Sequence, residues 1–191
     1  MFALLSKSLQ KLKLTDITTL ALFISLAVAG RALFAPIPSV QPSSYFIIMC
    51  GLLFGPGGGF CAGVLTAILS NLLLGFGTYI WFQMLAWGLM GLFAGLLPKR
   101  NLFLTPAYGF IWGYLFGFIT NFWYLFAGNI PITFSSIMIG TAGSFTFDTA
   151  HAVTNLILLV FLPYGVVYKI QSKIIGSHDQ PNLKKKGMNK E

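Results

Sequence analysis

Charge is what this chain lacks most. Only four of its 191 residues are acidic, and charged residues of both signs make up 8% of the total. Of the acids, only Asp148 falls inside a long apolar stretch, which excludes a metal site built from clustered carboxylates. Cysteine is nearly as scarce. Cys50 and Cys61 both lie in apolar segments, form no CxxC, and have no His or Cys nearby at ligand spacing. They read as small buried apolar residues and give no disulfide or zinc framework. Basic residues are missing from three connecting stretches, 35–42, 75–79 and 128–144.

What is abundant is apolar surface. Hydrophobic residues make up 56% of the chain, with 19 Phe, more than a soluble domain of this size can hide. A membrane-crossing helix needs about 20 apolar residues. Six apolar segments follow one another at 17–34, 43–54, 60–74, 80–97, 102–127 and 145–168. Gly55-Pro56-Gly57-Gly58-Gly59 separates the second from the third, and the polar stretch 128–144 reads as the connection before the last. The expected fold is therefore all-α integral membrane, with six transmembrane helices in one domain over 1–175. A basic tail, expected to be disordered, follows at 176–191.

The distribution of Lys and Arg gives the orientation. Lys7, Lys11 and Lys13 precede the first segment, Lys99 and Arg100 follow the fourth, and Lys169, Lys173, Lys184, Lys185, Lys186 and Lys190 follow the sixth. Six crossings put all of them on one side, and the positive-inside rule makes that side cytoplasmic, with both termini inside. The net charge of +8 thus reflects topology and is no footprint of nucleic acid. The basic start and Ala27-Val28-Ala29 resemble a signal peptide, but cleavage there would leave only more membrane protein, so the segment is read as a crossing.

Small residues recur at four-residue spacing: Ala21, Ser25 and Ala29 in the first segment, Gly59, Gly63 and Ala67 in the third, Gly91 and Gly95 in the fourth, and Gly109, Gly113 and Gly117 in the fifth. Such stripes let helix backbones approach closely. Spacing does not say which stripe packs inside the bundle and which meets another subunit.

Eleven of the twelve basic residues lie outside the apolar segments; the exception is Arg31. An ionisable group at membrane depth needs a partner, a water-filled cavity or a function. Arg31 falls near the outer end of segment one, and Asp148 and His151 near the outer part of segment six. Asn155 shares their helix face by its i, i+3, i+7 spacing. Gln41 lies in the first outer connection, Asn71 near the outer end of segment three, Trp81, Gln83 and Trp87 at the outer start of segment four, and Asn121 in the outer half of segment five. Amide and aromatic groups gathered at one depth describe a small-molecule pocket opening outward. Plainer readings stand beside it: Arg31 snorkelling to headgroups, Asp148 at a helix start, or an Arg31–Asp148 pair that is purely structural.

Enzyme readings fare poorly. Ser144 and His151 lack a nucleophile-elbow setting, and the glycine run at 55–59 lacks the Lys-Ser/Thr ending of a P-loop, so no resident cofactor or nucleotide chemistry is expected. A proton or ion pathway through Asp148, His151 and Arg31 is the alternative from another class.

Three stretches carry a resemblance: RALFAPIPSVQP at 31–42, GLLFGPGGGF at 51–60, and SNLLLGFGTYIWFQMLAWGLMGLFAGLL at 70–97. With the six-crossing plan, they resemble the S-components of energy-coupling factor (ECF) vitamin transporters in the bacterial plasma membrane, and look most like the cobalamin S-components. The resemblance implies a subunit that captures a vitamin at its outer face, gated by the loop after helix one. It also implies docking on a membrane coupling subunit that carries two cytoplasmic ATPases. The family's Ala-x-x-x-Ala docking stripe on helix one is matched here by Ala21, Ser25 and Ala29, with Ser in the middle. Cobalamin suits the amides and aromatics; a carboxylate vitamin such as pantothenate suits Arg31 equally well.

Overall fold

The computed structural model describes residues 14–98, 101 and 103–170. The tail at 176–191, the domain boundary before it, and most of the basic clusters lie outside the described residues. Every regular element among them is helical: α1 (Leu14–Phe34), α2 (Ser43–Leu74), α3 (Ile80–Ala94), α4 (Leu104–Ala127) and α5 (Phe134–Phe161), followed by a short helical stretch over 164–170. Four of the helices, α1, α2, α4 and α5, are long and apolar enough to cross a membrane; α3 is apolar but shorter. Large apolar side chains such as Leu72, Phe126 and Phe161 stand on the outside of the bundle, as lipid-facing residues do. Over its described residues the chain has the all-helical build of a multi-pass membrane protein.

The length of α2 conceals a reversal. Gly55 has φ 78° and ψ −175°, a conformation essentially closed to residues with a Cβ. Pro56 then occupies the first position of the second arm, where its missing N–H costs nothing. The two arms run back along each other: a Cβ placed on Gly59 would stand 2.7 Å from the Gly51 Cα, although eight residues of straight helix would separate them by about 12 Å. The break expected at 55–59 is thus concentrated at Gly55, and residues 56–59 belong to the second arm.

Glycine stripes hold this hairpin against α3. Cβ atoms on Gly59 and Gly91 would each fall on the other's backbone carbonyl, and one on Gly95 would strike Pro56. The α4 stripe meets α5: Gly109 faces Leu159, Gly113 the backbone of Ala152, and Gly117 the Asp148 carboxylate. Removing the Cβ at these points lets helices in contact approach to backbone distance, where van der Waals packing holds them. The α1 residues Ala21, Ser25 and Ala29 are all exposed, whereas Leu20, Ile24 and Ala27 on the other side of α1 are buried.

Two helix boundaries differ from the sequence expectation. The last helix begins at Phe134, not near 145, because Thr133 and Ser136 form a reciprocal capping box: Ser136 N donates to Thr133 Oγ1 (3.2 Å) and Thr133 N to Ser136 Oγ (2.9 Å). Further along, Thr141 returns its hydroxyl to the Ile137 carbonyl at 2.9 Å, so a polar sequence here is helix rather than loop. The same helix ends at Phe161 before Pro163, and the Leu162 carbonyl accepts from Tyr45 Oη at 2.9 Å.

Candidate functional site

The helices alternate in direction, so the end of α1, both outer ends of α2, the start of α3, the end of α4 and the start of α5 meet at the end of the bundle opposite Gly55. Arg31, in the last turn of α1, donates from Nη1 to Ser70 Oγ at 2.5 Å. Its guanidinium lies over the Trp87 ring, 5.0 Å from the centroid. Trp87 is fully buried, and its indole N–H donates to Ser44 Oγ at 3.0 Å. Ser44 in turn shares a 2.7 Å hydrogen bond with His151 Nε2. Phe116 closes the group, with ring centroids 5.0 Å from both Trp87 and His151. All five helices contribute to this one cluster.

A second pair lies beside it. Asn71 donates from Nδ2 to Gln83 Oε1 and to the Ala67 carbonyl, both at 2.7 Å, fixing its orientation. Its Oδ1 is buried without a partner. Gln41, in the α1–α2 connection, likewise has a buried, unpartnered Oε1. Gln41 and Arg31 line one cavity of about 180 Å³ together with Phe34, Ile37, Val40 and Leu74. An unmatched buried acceptor is costly unless a donor arrives from elsewhere, so a charged donor and a residue with an unmatched acceptor stand at the same cavity.

Asp148 sits in a separate arrangement. Ser144 Oγ donates to its Oδ2 at 2.6 Å and receives Asn121 Nδ2 at 2.8 Å. Arg31 gives its side-chain hydrogen bond to Ser70 instead, and no ion pair joins Arg31 to Asp148. The structural Arg31–Asp148 pair open from the sequence does not form. Two further expectations are altered. Asn155 is fully buried and donates to the Gly109 carbonyl at 3.0 Å, deep toward the Gly55 end, because i+7 carries it two turns below Asp148. Trp81 is 68% exposed and faces outward, away from Gln83 and Trp87. The site also contains Ser44, Ser70 and Phe116, which the sequence did not single out. Serines inside apolar helices ordinarily bond back to their own helix, as Ser70 also does to Thr66 O at 2.6 Å, so nothing in the sequence distinguished them.

The family profile described as ECF-type riboflavin transporter, S component, matches residues 11–169. The chain is an S component of the ECF type. Proteins of this family are substrate-binding transport subunits, not enzymes. No curated protein and no solved structure matches the chain. The description of the S-component family names riboflavin, where the local resemblance over 31–97 had pointed to cobalamin; the cobalamin assignment therefore finds no support. The site of this S component has donors and acceptors on fixed side chains at one end of the bundle, a geometry suited to binding and not to bond cleavage.

Proposed function

We propose that this S component crosses the membrane six times, with both termini in the cytoplasm, and captures riboflavin at its outer end. The observation that carries the reading is Arg31: a half-buried guanidinium with five N–H donors, no carboxylate partner among the described residues, and a cavity beside it that is also lined by Gln41, whose buried Oε1 is an orphan acceptor. Counting the two arms of α2 and the short α3 separately gives the six crossings. The Lys- and Arg-free connections at 35–42, 75–79 and 128–144 then face outward.

Riboflavin offers what this end of the bundle lacks. Its ring carbonyls would accept from Arg31, and its imide N–H and ribityl hydroxyls would donate to Gln41 and to Asn71 Oδ1. The 180 Å³ cavity is smaller than the tricyclic ring, so the roof formed by the 35–42 connection opens for entry. Cobalamin, with its corrin macrocycle, is far larger still. For delivery, the exposed Ala21, Ser25 and Ala29 stripe of α1 is the face that meets a membrane coupling subunit driven by two cytoplasmic ATPases. The side chains there are exposed, Ser25 returns its hydroxyl to the Ala21 carbonyl of its own helix at 2.9 Å, and small residues favour close helix contact.

The test is a binding panel on the purified full chain, without ATP: riboflavin by quenching of its fluorescence, and cobalamin and pantothenate by calorimetry. Tight, saturable riboflavin binding supports the proposal. Binding of either other vitamin in its place overturns the substrate, and binding of none overturns the capture role.

A further inference from the structure

Asp148 is a buried acid that the vitamin site does not use. It stands at the middle of α5, about 20 Å from either end of that helix. At such a depth an ionisable group needs a partner, a water-filled cavity or a function. Its place is built into the fold. Gly117 has no side chain, and the Asp148 carboxylate fills the space against α4 that a Cβ there would take. Ser144 Oγ donates to Oδ2 at 2.6 Å and is itself steadied by Asn121 Nδ2 at 2.8 Å. Among the described residues no cation forms an ion pair with the carboxylate.

Asp148 also lines a cavity of about 340 Å³ between α4 and α5, within the range of roughly 300–1,000 Å³ that small-molecule pockets occupy. This cavity shares no lining residue with that of Arg31. Phe110, Tyr114, Phe118 and Phe145 give it aromatic walls. Tyr114 is central among them, with ring centroids 5.5 Å from Phe110 and 6.0 Å from Phe145. Ile111, Leu115, Phe118 and Phe145 are exposed on the outside of the bundle, so the way in lies through the lipid-facing side.

The polar groups of this wall accept hydrogen bonds and have none left to donate. Thr141 gives its hydroxyl proton to the Ile137 carbonyl at 2.9 Å. Thr149 Oγ1 donates to the Phe145 carbonyl at 2.7 Å, so the 3.0 Å hydrogen bond between Tyr114 Oη and Thr149 Oγ1 takes its proton from Tyr114. What remains is a carboxylate, oxygen lone pairs and the negative faces of aromatic rings. Such a set attracts a cation and repels an anion. The apolar surroundings require that the cation carry apolar groups of its own.

We propose that this cavity binds a hydrophobic ammonium compound, with its positive nitrogen between the Asp148 carboxylate and the Tyr114 ring and its apolar part along Ile111 and Leu115. Cation–π attraction to the rings adds to the ion pair. The site stands or falls independently of the vitamin proposal.

The test is calorimetry on the purified full chain in a non-ionic detergent, with two probes of the same shape: benzyltrimethylammonium, and neopentylbenzene, in which carbon replaces the charged nitrogen. The cation is expected to bind saturably and the hydrocarbon far more weakly. Asp148→Asn keeps an acceptor for Ser144 and should weaken the cation by at least about thirtyfold, the lower end of what removing one partner of a desolvated charge pair costs. Tyr114→Leu should weaken it about fivefold through the lost ring. Leu115→Trp fills the cavity from its exposed side, leaves the carboxylate in place and should abolish binding. Unfolding midpoints on the same samples show that each variant is folded. Equal affinity for the two probes, unchanged affinity in Asp148→Asn, or no binding of the cation to the wild type overturns the site. Retention of an apolar membrane-spanning peptide with a central Lys, where the small cation does not bind, would make the occupant a partner helix and overturn the small-molecule assignment.

Discussion

Arg31 stands over the ring of Trp87, 5.0 Å from its centroid. The two residues are far apart in sequence, yet this contact links the only Lys or Arg inside an apolar segment to the largest fully buried side chain among the described residues. The ring offers the guanidinium an electrostatic seat worth about 0.5–2 kcal/mol. It does so without spending the N–H donors, which leaves the edge of the guanidinium available to a ligand. A carboxylate partner would have consumed them.

Arg31→Ala should therefore weaken vitamin binding by at least about thirtyfold, since losing a desolvated, hydrogen-bonding cation costs roughly 2–5 kcal/mol. Asp148→Asn should leave affinity nearly unchanged, because Asp148 is held by Ser144 and does not touch the Arg31 cavity. Fluorescence titration with riboflavin checks both, and equal affinities for wild type and Arg31→Ala would remove Arg31 from the site.

Trp87→Phe keeps an aromatic ring under Arg31 but deletes the indole N–H to Ser44. A loss of about 1 kcal/mol is expected from the missing hydrogen bond, much less than the roughly 3–5 kcal/mol of Trp87→Ala. Thermal unfolding in a mild detergent would order the three proteins; similar midpoints for the two variants would show that packing of the ring is unimportant.

At Gly55 the backbone should tolerate no side chain. Gly55→Ala forces a Cβ into a conformation that costs about 1–3 kcal/mol, and should lower both the yield of folded protein and its unfolding temperature. Gly140→Ala, where an added Cβ meets open space, serves as the control and should match the wild type or exceed it slightly. Gly113→Ala, aimed at the Ala152 backbone, should behave like Gly55→Ala.

Substitutions on the exposed stripe of α1 should separate binding from assembly. Ser25→Trp is expected to leave riboflavin affinity intact while preventing copurification with the coupling subunit, because a bulky side chain blocks close helix approach. Ser25→Ala should copurify as the wild type does. Intact assembly of Ser25→Trp would place docking on another face.

Topology has its own check. In a background with Cys50→Ser and Cys61→Ser, single cysteines at Ser39 and at Asn101 should label from opposite sides of the membrane with an impermeant reagent. Labelling from the same side would refute the six-crossing arrangement.

By itself the sequence determined the class of protein, because apolar abundance and charge scarcity follow from composition and need no geometry. It also located the reversal in α2, since Gly and Pro restrict the backbone locally, and it placed Arg31, Gln41, Asn71, Gln83 and Trp87 at one end of the bundle through helix position alone. The helical start at Thr133–Ser136 was missed because polar residues look alike in a loop and in a capping box. Only the tertiary structure decided which groups touch. It gave Arg31 to Ser70 and Trp87 instead of Asp148, recruited Ser44 and Phe116, sent Asn155 inward and turned Trp81 outward. It also packed the glycine stripes of α3 and α4 inside the bundle and left the α1 stripe exposed. Helical periodicity fixes the face on which a residue lies, but which neighbour that face meets depends on the rotation and depth of every other helix.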